Sequence, residues 1–297
     1  IYVGITAVEV LALLPVMNLF DAVNHAFATM ATGGFSTDNG SIGQYNSAYV
    51  DGVITLFMFL AGMNFALHYR MLRGKAITVF RDEELRVYAG ITLGATTLIA
   101  LATWSPTAGW FAADAAATAY SSIGEAIRYA SFQSVAIITT TGFGTADYEL
   151  WPALAIGTVF LLFFIGGMAG STGGGVKVVR HVLLVKNSFR EVKQLVHPQA
   201  ILPIRLNGNV VPKDVMGNVL SFIVLYLGLF FAGTLVMAAL GLDLMSAFGA
   251  ALSCIGNIGP AFGTMGPTEN YAHVPALGKW VLSFLMVAGL LEIYTIL

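Results

Sequence analysis

The chain is 297 residues long, 57% hydrophobic and only 10% charged, with a formal net charge of −2 and a mean hydropathy of +0.79. A soluble domain is roughly a quarter charged, so most of this chain belongs in lipid. The single cysteine, Cys254, excludes an intrachain disulfide framework, and the dispersed basic residues exclude a continuous nucleic-acid groove.

The chain starts at Ile1 and enters apolar sequence without a basic leader, and its last apolar run stops at Leu297 without a polar tail. It therefore reads as a fragment. The first apolar run, 1–17, is interrupted by Glu9. A short segment, 21–31, with Ala22, Ala26 and Met30 at near-helical spacing, leads into Thr32-Gly-Gly-Phe-Ser36. A second apolar run, 50–67, ends in a basic cluster at 68–75. The polar linker 74–86 follows, and the pattern restarts with a span at 87–104. An Ala-rich stretch at 106–120, a short helix at 121–138, the loop Thr140-Thr-Gly-Phe-Gly144 and a span at 150–169 complete it.

The second unit then departs from the first, because its last span runs into Gly170-Ser-Thr-Gly-Gly-Gly175. Three consecutive glycines cannot be a good helix interior, so the chain breaks or loops there. A basic amphipathic stretch, 176–196, and a linker punctuated by Pro198, Pro203 and Pro212 come next. Within it, Asn207-Gly208 between short apolar strands predicts a hairpin. The third unit has a span at 214–240, a short helix at 243–256, the loop Asn257-Ile-Gly-Pro-Ala261 and a last span at 277–297. The unit boundaries fall at 1–73, 87–197 and 213–297, with linkers 74–86 and 198–212.

The three loops are equivalent. Gly34, Gly142 and Gly259 recur roughly 110 residues apart, each between a short helix and a full span. A single Gly-rich stretch between spans also reads as an ordinary turn, and recurrence in equivalent places is what favours a filter. A re-entrant helix and a non-helical return cannot face lipid, because unpaired backbone groups cost several kcal/mol there. They line a water-filled path, where carbonyl oxygens replace the water shell of a monovalent cation and glycine permits the necessary backbone angles. The middle copy resembles the TVGYG loop of potassium channels. Thr32, Thr140 and Asn257, in first position, are placed to add side-chain oxygens at the innermost site. The candidate filter residues are Thr32, Gly33, Gly34 and Phe35, then Thr140, Thr141, Gly142 and Phe143, then Asn257, Ile258 and Gly259.

Twelve of the fourteen Lys and Arg residues fall between 70 and 86 or between 177 and 213, leaving Arg128 and Lys279 on the other side. The linkers, 74–86 and 176–212, are therefore cytoplasmic. The opposite side holds Asp21, Asp38, Asp51, Asp114, Glu125, Asp147, Glu149, Asp243 and Glu269, an acidic mouth that concentrates cations.

With these motifs in hand, the chain resembles the ion-translocating subunits of the Trk/Ktr/HKT superfamily. The resemblance rests on Ala31-Thr-Gly-Gly-Phe-Ser-Thr37, Ala61-Gly-Met-Asn-Phe-Ala-Leu-His-Tyr69, Thr139-Thr-Thr-Gly-Phe-Gly144, Gly166-Gly-Met-Ala-Gly-Ser-Thr-Gly-Gly-Gly-Val-Lys177, Gly256-Asn-Ile-Gly-Pro260 and Leu291-Glu-Ile-Tyr-Thr295. It implies an all-α membrane protein of four helix–pore-helix–filter loop–helix repeats around a pseudo-fourfold pore, with this chain supplying the second to fourth and the first missing. It further implies K⁺ uptake across the bacterial inner membrane, with K⁺ as the bound ion and no organic cofactor. A homodimer embedded in membrane lipid and cytoplasmic TrkA-like nucleotide-binding regulatory subunits are implied as well. A Na⁺-permeable or weakly selective member is the alternative. In such proteins the break after the third repeat forms an intramembrane gating loop, matched here by Gly170, Ser171, Thr172, Gly173, Gly174 and Gly175. Members usually read Gly-Arg-Leu-Glu in the last span, whereas this chain has Gly289-Leu290-Leu291-Glu292. Leu290 implies either a leakier pore or a hydrophobic constriction in place of a cationic barrier.

Other chemistry is set aside. Val176 stands where a phosphate loop needs lysine, and Ser171 lies in no nucleophile elbow, so neither nucleotide binding nor an intramembrane hydrolase is expected. The five histidines, His25, His68, His181, His197 and His273, show no metal-ligand spacing. Glu9 and Glu292 sit in apolar runs and need a partner or a proton; Glu292 reads as a structural pair partner, and Glu9 as lying against the missing first repeat.

Overall fold

The computed structural model describes residues 1–107, 119–200 and 202–291. Asp114 and Glu292, singled out above, lie outside the described residues, as does the end of the last span.

Polar side chains cap several of the helices. Helix α1 (Tyr2–Leu13) is followed by α2 (Leu19–Met30), where Asn18 accepts the amide of Asp21 at 2.9 Å. Ser47 caps α3 (Ala48–Ala61). The expected continuous span at 50–67 is broken instead. Asn64 caps a separate helix, α4 (Phe65–Leu72), through the amide of Ala66 at 2.8 Å, and the two axes meet at 100°. The break is enforced by packing, because a Cβ on Gly62 would lie 2.5 Å from the Tyr88 hydroxyl and 2.7 Å from Thr139 Cγ2. After the short α5 (Ala76–Phe80), Asp82 caps α6 (Glu83–Thr103), and Ser122 caps α7 (Ile123–Ile138).

The span expected at 150–169 is also shorter than its composition suggests. Helix α8 (Ala153–Leu162) ends in tight turns, and the amide of Gly166 then reaches the carbonyl of Val176 at 2.5 Å, folding 167–175 back on itself. Helix α9 (Val178–Val196) carries the basic amphipathic stretch. The hairpin forms as read: β1 (Arg205–Leu206) pairs antiparallel with β2 (Asn209–Val210). Its turn residues Asn207 and Gly208 both have positive φ, 49° and 83°, as a two-residue turn matching strand twist requires. The last unit consists of α10 (Lys213–Ala239), α11 (Leu244–Gly256) and α12 (Ala276–Leu290).

Among the described residues, α6 and α10 are each long and apolar enough to cross a bilayer, and the α3–α4 pair passes the same test only when its two helices, bent by 100°, are taken together. The C-terminal half of the short helix α7 and nearly all of α11 are buried, while apolar side chains such as Leu93, Leu161, Val224, Phe231 and Trp280 point outward. That inversion is the solution of a lipid-facing bundle whose pore helices sit inside. An aromatic cluster of Phe160, Phe163, Phe230, Phe248 and Phe262 locks the second unit to the third.

One ion pair staples the first unit to the second. Arg128 Nε lies 2.7 Å from Asp51 Oδ2, with the carboxylate 2% exposed. Arg128→Met strands that carboxylate, and a buried charge without its partner costs about 3–5 kcal/mol. A lowered thermal midpoint in detergent is the expected result, larger than that of the double variant Asp51→Asn/Arg128→Met.

Candidate ion pathway

Each short helix delivers its loop the same way. The amides of Gly33 and Gly34 turn back to the carbonyl of Ala28, at 2.8 and 3.4 Å. Those of Thr141 and Gly142 return to Ala136 at 2.9 and 3.1 Å. The amide of Ile258 returns to the Ser253 carbonyl at 3.0 Å, and that of Gly259 to the Ser253 hydroxyl at 3.1 Å. In a trans peptide the C=O points opposite to the N–H that follows it. The carbonyls of residues 32 and 33, 140 and 141, and 257 and 258 therefore all turn away from their short helix.

The backbone angles repeat with equal regularity. First-position residues are left-handed, with Thr32 at φ 52°, Thr140 at 57° and Asn257 at 54°. So are the third-position glycines, Gly34 at 62°, Gly142 at 77° and Gly259 at 110°. Left-handed threonines are uncommon and strained, and the pair stands at matching places in the first two loops.

The glycines also fix the order of the loops. A Cβ on Gly34 would fall 1.9 Å from the carbonyl oxygen of Thr141, and one on Gly142 would fall 1.8 Å from that of Ile258. The first two loops thus each pack their glycine against the next loop's carbonyl. Around Gly259 no described atom lies within 4 Å of the corresponding position.

Side chains of the loop residues go to different places. Phe143 is buried behind its loop, 6.0 Å from the His25 ring, whereas Phe35 is 80% exposed. The Thr32 hydroxyl donates to the carbonyl of Ala31 at 2.7 Å, and Asn257 Nδ2 donates to that of Met286 at 2.9 Å. The Thr140 hydroxyl oxygen accepts the amide of Gly174 at 2.7 Å, so the segment 170–175 already occupies one of the oxygens placed at the innermost position.

That segment meets the C-terminal ends of all three short helices. Thr172 Oγ1 donates to the carbonyl of Met30 at 3.0 Å. A Cβ on Gly173 would lie 2.8 Å from the Thr139 carbonyl oxygen, and one on Gly174 would lie 2.7 Å from that of Gly256. The three adjacent glycines are needed because backbone approaches backbone here. Lys177, 9% exposed, folds under the segment, its Nζ donating to the carbonyl of Gly173 and lying 3.5 Å from Ser171. A cavity of about 400 Å³ opens below, lined by residues 170–175, Lys177, Gly289, Leu290 and Leu291.

On the opposite side a cavity of about 550 Å³ adjoins Gly144, lined by Asn39, Ser41, Gln44, Thr145, Asp147 and Thr268 among others. Glu149 braces this mouth, accepting the amide of Gly263 at 2.6 Å. Its carboxyl is held above the usual range by burial, with Asp147 and Glu269 adding repulsion. The short helices direct their partially negative C-terminal ends at these loops, with the cavity beside Asp147 on one side and the segment 170–175 with its cavity on the other.

The comparisons agree. A family model described as "TrkH: Cation transport protein" matches residues 1–297. The chain belongs to the TrkH family. The Trk system potassium uptake protein TrkH of Escherichia coli (strain K12) is 36% identical over 299 residues, covering 100% of this chain and 59% of that protein. The Trk system potassium uptake protein TrkG of the same organism is 34% identical over 282 residues, covering 95% of this chain and 55% of its own length. The crystal structure of the potassium transporter TrkH from Vibrio parahaemolyticus superposes with a TM-score of 0.88 at 33% identity, covering 99% of this chain and 61% of that one. The chain therefore spans about three fifths of the length of these TrkH relatives.

One expectation changes with the geometry. Glu9 is 0% exposed within this chain alone, so its own helices enclose it, without any help from a further repeat. Among the described residues, no group of three His, Cys, Asp or Glu side chains is placed to hold a metal ion, and His25 is bonded at both nitrogens, to the Asp21 carbonyl and the Ser36 hydroxyl. Sequence reasoning passed over Lys177 and Glu84, whose partners become visible only once the 170–175 segment is folded back.

Proposed function

We propose that the complete protein of which this TrkH-family chain forms three fifths takes up K⁺ across the bacterial inner membrane. Cations collect at the acidic mouth, lose water against the carbonyls of residues 32–34, 140–142 and 257–259, and pass the segment 170–175 when it moves aside. The observation that carries this reading is the triply repeated loop, with left-handed first and third residues and amides returned to the short helix. Carbonyls so presented match the oxygen cage that a dehydrated monovalent cation requires. The relatives named as potassium uptake proteins support K⁺ as the ion.

The basic face is the regulatory side in this reading. Helix α9 exposes Val185, Phe189, Val192 and Leu195 beside Lys186, Arg190 and Lys193, a mixed surface suited to a cytoplasmic TrkA-like subunit. The transporter acts as a homodimer in lipid, as the resemblance implies.

The test is Rb⁺ and Na⁺ influx by the full-length protein in cells lacking their own K⁺ uptake. Rb⁺ influx well above Na⁺ influx is expected. Equal rates select the weakly selective alternative, and no cation movement overturns the reading.

A further inference from the structure

We propose that the turn Asp82-Glu83-Glu84 is a mechanical link in which Glu84 clips both feet of the 170–175 gate, and its two neighbours tie that clip to the cytoplasmic hairpin. The inference rests on the reading of 170–175 as a gate.

Glu84 is 6% exposed, at the first turn of α6. A single carboxylate oxygen, Oε1, accepts the amide of Ala169 at 2.7 Å and that of Val179 at 3.1 Å. These two amides flank the gate, one just before Gly170 and the other shortly after Gly175. One oxygen with two charge-assisted bonds holds the two feet close together, so any movement of the segment that parts its feet must break at least one bond. The gate's other contacts are neutral backbone and hydroxyl bonds from Thr172 and Thr140, together with the Lys177 ammonium on the Gly173 carbonyl, and none of them ties its two feet to each other.

The other half of the link faces away from the membrane. Glu83 Oε2 lies 2.6 Å from Lys186 Nζ on α9, and the Glu83 amide donates to Asn207 Oδ1 at 2.8 Å. Asn207 returns Nδ2 to Asp82 Oδ2 at 2.8 Å. Lys186 also donates to the carbonyl of Arg205 at 2.7 Å. Asn207 is the left-handed residue of the hairpin turn, so its geometry is fixed and its pull is directional. Displacing the hairpin or α9 therefore displaces Asp82 and Glu83, and with them the adjoining clip. A subunit docking on this face moves the gate through three consecutive residues without touching it. The two discrete arrangements that such coupling needs are the clipped and the released segment.

The experiment measures Rb⁺ influx per folded transporter in proteoliposomes of the full-length protein. Glu84→Ala removes the shared acceptor, and influx is expected to rise about tenfold or more, the change in open population that loss of one charge-assisted bond produces. Glu84→Gln keeps an acceptor oxygen at the same reach and is expected to restore influx to near the unmodified level. Should Glu84→Ala fail to fold, Glu84→Asp carries the same expectation, because its shorter stem reaches one amide at most. The double variant Glu83→Ala/Asn207→Ala removes the Lys186 pair and both Asn207 side-chain bonds and leaves the clip closed, so K⁺ uptake is expected to fall in native cells while proteoliposome influx stays level. Equal influx in the Glu84→Ala and Glu84→Gln variants, or undiminished uptake by the double variant in cells, overturns the proposal. Deleting 170–175 separates the two readings. If deletion raises influx and Glu84→Ala does not, the clip is wrong and the gate stands; if neither raises it, the gate reading falls as well.

Discussion

Gly142→Ser in the full-length protein is expected to lower Rb⁺ influx about 100-fold, equivalent to roughly 2.7 kcal/mol on the barrier to conduction. The reason is positional. Its Cβ would sit 1.8 Å from the carbonyl oxygen of Ile258 and 2.9 Å from Pro260 Cδ, at a backbone φ of 77°. Neither neighbour is the flexible end of a side chain, so the loops must separate and the carbonyl cage is lost with them. Gly34→Ser meets the Thr141 carbonyl at 1.9 Å and is expected to match it. Gly33→Ser is the control, because its Cβ meets only the movable ring of Phe35 and a carbonyl at 3.9 Å, and its loss is expected to be tenfold smaller.

Gly259 makes the comparison more informative. No described atom opposes its Cβ, although φ is 110°. If the order of the loops continues around the axis, the full-length protein sets another carbonyl beside it, and Gly259→Ser then costs as much as Gly142→Ser. An effect at least tenfold smaller than that of Gly142→Ser would leave the ring unclosed there. Unchanged influx and selectivity in all of these variants would remove the filter assignment.

The alternation of spans and short helices was legible in the sequence because apolar run length and Gly-rich interruption are local properties. The hairpin was legible for the same reason, since Asn207-Gly208 dictates its own turn. The two broken spans were not. Helix α3 stops at Gly62 because Tyr88 and Thr139 crowd it, and α8 stops at Leu162 because Gly166 must reach Val176, and neither cause lies in the local composition. The loops divided similarly. Their glycines announced themselves, but the left-handed Thr32 and Thr140 run against intrinsic preference, and only the surrounding fold holds them there. Glu84 read as one charge in a polar linker, and its role depends on amides 85 and 95 residues away.

Lys177→Met is expected to raise basal Rb⁺ influx about tenfold or more, with Lys177→Arg close to the unmodified protein. Two effects of the ammonium act in the same direction. It holds the gate segment through the Gly173 carbonyl and the vicinity of Ser171, and it is the only charged side chain among the described residues lining the cavity beneath the loops. A cation about 8 Å from a like charge at an effective dielectric of about 20 is opposed by roughly 2 kcal/mol, enough by itself for more than a tenfold effect. The last span offers no such barrier, because Leu290 and Leu291 line the same cavity with apolar side chains. Adding Leu290→Arg to Lys177→Met separates the contributions. If charge dominates, the arginine returns influx towards its original level; if the latch dominates, influx stays high because the segment remains untied. Unaltered influx in Lys177→Met would place both the latch and the barrier elsewhere.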